Sequence, residues 1–420
     1  MTGETITDSP ATYAGTTDAA TLAARSAGWR DRYTAAMMLT FAPPRAMLVR
    51  GAGCYVWDEN GTEYLDFLAG IAVNSLGHAH PEMVAAVSAQ VGTLAHISNY
   101  FASPSQIELA ERLKRITGAG PAGRVYFCNS GAEANEAAFK LARLNIGSDP
   151  ARPRTRILSL HESFHGRTMG ALALSGKPAM RAPFLPVPGG VEHIHATFEA
   201  LETAIDDTVA ALFLEPVQGE AGVIDLPDGF LRRARELCTR HGVLLILDEV
   251  QTGAGRTGDW FAYQHDGILP DAISIAKGIG GGVPIGALVT FGAASELFQR
   301  GQHGSTFGGN PLATTTANTV LGIIERDGLV ANAARRGEQL RELILGFDSP
   351  HILEVRGRGL LLGIGLAEPV ALKLADAALD AGLIVNAANE STLRLAPPLI
   401  VGDTELAEFG RRFGLALASL

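Results

Sequence analysis

Lys277 stands directly after the apolar run AISIA and directly before the glycine-rich stretch GIGGGVPIGAL. An amine in such surroundings loses hydration, which favours its neutral, nucleophilic form. Asp248 closes another apolar run, where a carboxylate must meet a cation or accept hydrogen bonds. Gly131 and Ala132 follow a third run, in the turn Asn129-Ser130-Gly131-Ala132-Glu133, and open a helical pattern. Bare N–H groups at a helix start suit a phosphate. Taken singly, each has an ordinary structural explanation: a snorkelling lysine, a structural ion pair, a strand-to-helix turn. Taken together, they are what one cofactor requires. A phosphate cradle, an aspartate for a ring nitrogen and a lysine amine for an aldehyde define a pyridoxal 5′-phosphate site.

A second pattern points elsewhere. His161-Glu162-Ser163-Phe164-His165 has the H-E-x-x-H spacing of a zinc peptidase. That motif works when both histidines project from one helix face, with the glutamate beside a metal-bound water. Here the preceding RILSL reads as a strand and Gly166 follows His165 at once. No metal site is expected, and the spacing is read as coincidence.

The elements around these residues place them on one edge. The apolar runs 125–128, 156–160, 210–214, 243–247 and 272–276 alternate with segments of helical periodicity. Continuous apolar strands between helices predict an α/β fold, a doubly wound and mostly parallel sheet covered on both faces. Past the runs come the Asn129 turn, the HESFHGR segment, Glu215 to Glu220, Asp248 to Gln251, and Lys277. This is the carboxyl edge, where open α/β sheets bind ligands. Within the helix after Ser130, Glu136 and Lys140 are spaced for an i,i+4 pair. Before the sheet, two β-like runs flank the turn Asp58-Glu59-Asn60-Gly61, and beyond about residue 320 the pattern turns to a smaller α+β unit. The expected division is a polar tail over 1–30 and an N-terminal segment over 31–80 that joins the small domain. A large cofactor-binding domain would follow over 81–318, and a C-terminal small α+β domain over 319–420.

The bulk properties exclude several classes. A formal charge of −10 with no basic stripe argues against nucleic acid or an anionic membrane as partner. Cys54, Cys128 and Cys238 are too few and too scattered for a disulfide framework and read as buried thiols. No apolar run reaches membrane-spanning length, and the opening residues lack a signal-peptide pattern, so a cytoplasmic protein is expected.

Eight segments, in order, resemble class III aminotransferases, and within them the acetylornithine aminotransferases. They are GIAVNSLGHAHP, FCNSGAEANEAAFKLAR, FHGRTMGAL, LEPVQGE, LDEVQTGAGRTG, AKGIGGGVPIGA, HGSTFGGNP and LRLAPPL. The resemblance runs from about residue 35 to the C-terminus. It implies the type I fold of pyridoxal-phosphate-dependent transferases and a homodimer with shared active sites. The implied reaction is reversible transamination of N2-acetylornithine with 2-oxoglutarate, giving N-acetylglutamate 5-semialdehyde and glutamate, in arginine biosynthesis. N-succinyl-diaminopimelate is a further substrate of such enzymes.

By the same resemblance, Lys277 would bind the cofactor covalently and move the substrate proton, and Asp248 would pair with the ring nitrogen. Val250 and Phe164 would cover the two ring faces, and Gln251 would reach the phenolic oxygen. Glu249 belongs to the same cofactor-binding set. Gly131 and Ala132 would hold the phosphate, joined across the dimer interface by Thr306. Arg167, with Ser305 nearby, would take the substrate carboxylate distant from the reacting amine. Arg394 would bind the α-carboxylate of glutamate or 2-oxoglutarate, and Glu220 would mask Arg394 when an ω-amine substrate is present. Ala221 departs from the family, where a second glycine is common. Gly70 stands where ornithine δ-aminotransferases carry a tyrosine, which favours an acylated substrate. The alternatives are ornithine δ-aminotransferase, succinylornithine transaminase and, in other reaction classes, glutamate-semialdehyde aminomutase or an H-E-x-x-H metallopeptidase.

Overall fold

Strands that are apolar at every position need cover on both faces, and the computed structural model of the chain supplies it. It describes residues 28–147 and 151–420. The expected polar tail lies outside the described residues except at 28–30, where Gly28 leads into the helix Trp29–Ala36.

Seven strands form the central sheet, numbered here along the chain: β1 (Arg124–Cys128), β2 (Arg156–Leu160), β3 (Val191–Ile194), β4 (Val209–Leu214), β5 (Leu244–Asp248), β6 (Ala272–Ile275) and β7 (Gly286–Thr290). Their order is β1-β7-β6-β5-β4-β2-β3. β7 runs antiparallel to both β6 and β1, and the other neighbouring pairs are parallel. The expected mostly parallel α/β sheet is therefore present, with two strands that the apolar runs did not reveal. β3 is a half-exposed edge strand of sequence VEHI, and β7 follows the glycine-rich stretch after Lys277.

The two-residue period of the strands divides the core. Leu245 and Leu247 of β5 pack with the helix Phe230–His241 on one face, through Leu231, Ala234 and Leu237. Leu244 and Ile246 pack on the other face with Ala137, Ala138 and Leu141 of the helix Gly131–Leu144. Ser130 caps that helix by accepting from the Glu133 amide at 3.2 Å. The expected Glu136–Lys140 pair does not form. Glu136 instead accepts from Thr168 Oγ1 (2.6 Å) and the Ala171 amide (3.0 Å) at the start of the helix Met169–Leu174, and Lys140 donates to the Gln302 carbonyl at 2.7 Å. Unsatisfied helix-end amides are a better partner for a carboxylate than a solvated lysine.

Strands Leu48–Ala52, Tyr55–Asp58 and Glu63–Asp66 build a second sheet, completed by Leu383–Ile384 from the far end of the chain. Asp58 makes the expected turn by accepting from the amides of Asn60 and Thr62. A third, antiparallel sheet joins Ile352–Arg358, Leu361–Leu366, Thr392–Leu395 and Asn386–Asn389. The expected division at 318/319 falls inside the helix Pro311–Arg326.

Arg256, 1% exposed, ties the loop beyond β5 to the C-terminal region. Its guanidinium donates to the carbonyls of Leu360 (3.1 Å) and Pro397, and its own carbonyl accepts from the Leu360 amide at 2.9 Å. Burial pushes the guanidinium pKa down to about 9. Arg256→Met keeps the bulk and strands both carbonyls. It is expected to lower stability by about 2–4 kcal/mol in denaturant unfolding.

Candidate active site

The carboxyl ends of β1, β2, β4, β5 and β6 open onto a cavity of about 460 Å³. Gly131, Ala132, Phe164, Arg167, Glu220, Asp248, Val250, Gln251 and Lys277 all line it. These are nine of the residues expected at the site, drawn from stretches up to 146 positions apart.

Asp248 lies at the floor, 5% exposed. Its Oδ2 accepts from Asn135 Nδ2 at 2.7 Å and sits 2.8 Å from His165 Nδ1, and its Oδ1 accepts from the Val250 amide at 3.0 Å. Asn135 is itself oriented by donating to the His165 carbonyl and accepting from Ser274 Oγ, both at 2.7 Å. Burial disfavours the charged form of His165, but the hydrogen bond and charge of Asp248 outweigh it and raise its pKa. The imidazole and the Asn135 amide together hold the Asp248 carboxylate in a fixed orientation at the cavity floor.

His165 therefore has a role that the zinc-like pattern concealed. The segment after β2 is loop, with Glu162 at φ 62°, so His161 and His165 do not share a helix face. The His161 ring instead lies 4.4 Å from that of His195, tilted by 33°. Among the described residues no group of three or more His, Cys, Asp or Glu is arranged to hold a metal ion. Sequence reasoning also missed Asn135, which lies on the buried face of its helix, and gave no role to Glu215, whose Oε2 accepts from the Phe164 amide at 2.9 Å and so places that ring.

Lys277 follows β6 at φ 47°, in the left-handed region that lysine seldom adopts. Burial lowers its pKa, and the nearby Glu220 carboxylate only partly offsets this. Across the cavity, Ala69, Gly70, Ile71 and Ala72 have φ of 49°, 65°, 64° and 62°, a left-handed turn that brings Val73 into the wall. Ser75 Oγ then bonds the Gly278 carbonyl at 3.1 Å, tying this strained segment to the lysine.

Arg394, on the strand Thr392–Leu395, is 1% exposed and sits behind the cavity wall. It donates to the Glu220 carboxylate, to Asn386 Oδ1 at 3.0 Å and to Gln251 Oε1 at 3.3 Å. Burial alone would raise the Glu220 carboxyl, yet the charge and hydrogen bond of Arg394 hold it below its ordinary range. Arg167 is exposed at the opposite side, with its guanidinium 5.8 Å from the centre of the Phe164 ring.

Besides Arg394, three expected residues do not line this cavity. Glu249 points the other way from Asp248, as neighbours on a strand end do. Its carboxylate accepts from Thr252 Oγ1 and from the amides of Ala262 (3.1 Å) and Tyr263 (3.0 Å), so it braces a loop and does not face the cavity. Ser305 and Thr306 line a separate cavity of about 820 Å³ with His96, Asn99, Tyr100 and Tyr126. Ser305 Oγ accepts from Asn129 Nδ2 at 3.3 Å, and Asn129 lines the first cavity too.

The first cavity fits pyridoxal phosphate. A Cβ on Gly131 would lie 2.7 Å from Val250 Cγ1, so only glycine leaves Val250 in place beside an open helix start. The first-turn amides of Gly131 and Ala132 precede the intrahelical ladder and are free for a phosphate. The anionic Asp248 and the amine of Lys277 complete the donor set. When bound, the cofactor supplies an aldehyde for amine capture and an aromatic ring that accepts the electrons released as a substrate C–H bond breaks.

The fold and this cavity are those of a pyridoxal-phosphate-dependent transaminase. The family model described as Aminotransferase class-III matches residues 40–417, and the chain belongs to that family. It is 51% identical over 385 residues to the acetylornithine aminotransferase of Mycobacterium tuberculosis, covering 91% of this chain and 94% of that one. Among solved structures, N-acetylornithine aminotransferase from Stenotrophomonas maltophilia is 39% identical with a TM-score of 0.79, covering 90% of this chain and 96% of that one. Ornithine aminotransferase from Toxoplasma gondii is 33% identical with a TM-score of 0.88, covering 93% and 94%.

Two substitutions separate positioning from charge. His165→Ala leaves Asp248 short of a partner and is expected to lower stability by about 1–3 kcal/mol in urea unfolding, with His165→Gln recovering part of the loss. Burial pushes the Glu249 carboxyl up to about 7. A raised carboxyl contributes most below its unfolded value of about 4.3, and that contribution is lost as pH rises through 7. The melting temperature of the wild type is expected to fall between pH 5 and 8, with a smaller slope in Glu249→Gln.

Proposed function

We propose that the enzyme transfers the δ-amino group of N2-acetylornithine to 2-oxoglutarate, giving N-acetylglutamate 5-semialdehyde and glutamate. The observation that carries this reading is the 51% identity, over 91% of the chain, with a protein named acetylornithine aminotransferase. In the cell the reaction serves arginine biosynthesis, and the enzyme works in the cytoplasm. Among the described residues no helix is long and apolar enough to cross a membrane, which is compatible with that location.

Chain residues divide the work by charge. Lys277, its proton affinity lowered by burial, would attach the cofactor and carry the proton removed from the substrate carbon. Asp248 would pair with the ring nitrogen and favour its cationic form. Phe164 and Val250 would cover the ring, and Gln251 would reach its phenolic oxygen. Arg167 takes the carboxylate remote from the reacting amine. Arg394 takes the α-carboxylate of glutamate or 2-oxoglutarate once Glu220 leaves it; with acetylornithine bound, Glu220 stays on Arg394. The planar guanidinium forks suit bidentate carboxylates.

Two chains complete the site. Thr306 and Ser305 serve the partner's cavity, which accords with their lining a separate cavity in their own chain. Tyr100 (92% exposed), Phe101 (70%) and Phe307 (59%) flank the same surface, a concentration of bare aromatic area suited to burial against a second copy.

Ornithine as amine donor is the second reading, favoured by the higher TM-score of the Toxoplasma structure. Gly70 weighs against it, because a glycine offers no hydroxyl to a free ornithine end. Steady-state rates with acetylornithine, succinylornithine, ornithine and 4-aminobutyrate against 2-oxoglutarate decide the matter. Acetylornithine is expected to give the highest kcat/KM, and a preference for ornithine overturns the assignment. Lys277→Ala is expected to lower kcat by roughly 100- to 10,000-fold. It also abolishes the mass added to the chain when enzyme and pyridoxal phosphate are reduced with borohydride.

A further inference from the structure

Three consecutive carbonyls around Glu220 are each held by a side chain from a different part of the fold. Lys177 Nζ donates to the Glu220 carbonyl at 2.8 Å, Asn389 Nδ2 to that of Ala221 at 2.8 Å, and Arg356 Nε to that of Gly222 at 2.9 Å. Lys177 precedes the short helix Pro178–Arg181, Arg356 lies on the strand Ile352–Arg358, and Asn389 ends the strand Asn386–Asn389. Arg356 is fixed in turn by Thr392 Oγ1 at 2.7 Å and Glu354 Oε1 at 2.5 Å.

The surrounding space is equally closed. A Cβ on Gly222 would lie 2.7 Å from Asn389 Nδ2, and one on Gly219 would lie 2.1 Å from Gln251 Oε1. The paired strands Val217–Gln218 and Ile224–Asp225 bound the segment on both sides, and Asp225 Oδ2 accepts from the Gly357 amide at 3.0 Å. The backbone beneath Glu220 has no slack.

We infer that Lys177, Asn389 and Arg356 form a carbonyl clamp that sets the substrate discrimination of the site. With its carbonyls pinned, the segment cannot swing. Glu220 leaves or covers Arg394 by side-chain rotation alone, and the clamp holds its resting position over the guanidinium. None of the three side chains lines the cavity, so they are positioning residues. The inference rests on Glu220 being the group that masks Arg394. It also gives Ala221 a consequence: the residue that replaces a flexible glycine is the one whose carbonyl Asn389 holds.

Loosening the clamp lets Glu220 spend time away from Arg394. A substrate α-carboxylate then meets less competition, while an ω-amine substrate meets an uncompensated cation. Lys177→Met and Asn389→Ala, made in the full-length enzyme with bound cofactor, are therefore expected to shift the two KM values in opposite directions. KM for glutamate falls and KM for the amine donor that the wild type prefers rises, each by about three- to tenfold, the range of one lost hydrogen bond. kcat stays within about twofold, and the dissociation constant of 2-oxoglutarate measured by calorimetry falls with the glutamate KM. Lys177→Arg restores a donor and returns both values toward wild type.

Glu220→Gln separates the clamp from the reading beneath it. If that variant changes the ratio of the two KM values and the clamp variants do not, the clamp is overturned and the mask stands. If Glu220→Gln leaves the ratio unchanged, the mask fails and the clamp falls with it. Both KM values rising together in the clamp variants marks a merely structural role and also overturns the inference.

Discussion

A carboxylate buried at the end of a central strand has to be answered by donors, and the answer organises this molecule. Asp248 takes Asn135 from a helix, His165 from a loop after another strand and the Val250 amide from its own turn. Asn135 is fixed by further bonds, and the chain of contacts runs through Ser274, on β6, the strand that leads into Lys277. An uncompensated carboxylate at this depth would cost several kcal/mol. The helix Gly131–Leu144, the loop 161–168 and strands β5 and β6 must therefore dock together before the charge is tolerable. The same docking forms the cavity wall.

Charge is then layered outward from the floor. Asp248 and His165 form one buried pair, Glu220 and Arg394 another, and Lys277 lies between them, its proton affinity lowered by burial. In the proposed function the second pair is the one that exchanges. Glu220 retains 29% side-chain exposure toward the cavity while Arg394 has 1%, so the guanidinium stays put and the carboxylate is the member with room to move. A fixed cation beside a more exposed anion is the arrangement on which the proposed acceptance of two substrates of different charge layout rests.

Much of this was legible along the chain, because burial leaves a local mark. Runs such as LLILD and AISIA have no polar alternation, so they announce strands covered on both faces, and the polar residue ending each run announces the ligand edge. Other features left no such mark. β7 carries an ordinary GALVT, but it is antiparallel and emerges from glycines that read as part of the cofactor loop. Glu249 follows Asp248 in sequence and in motif, yet strand alternation sends it to brace the Ala262 and Tyr263 amides. His165 was hidden by a pattern borrowed from helices, and only the loop conformation reveals its aspartate partner.

The sequence by itself determined the α/β core, the edge where chemistry collects, and the lysine, aspartate and small-residue turn that suit a phosphorylated aldehyde. These follow from composition within a few residues, where hydrophobic runs and turn formers act locally. Tertiary structure decided the partnerships. Glu220 meets Arg394 across 174 positions, three carbonyls beside Glu220 are gripped from separate elements, and Ser305, expected near Arg167, lines a different cavity from it. Hydrogen bonds and ion pairs between distant segments depend on how the sheets dock, and no spacing within a single run encodes that.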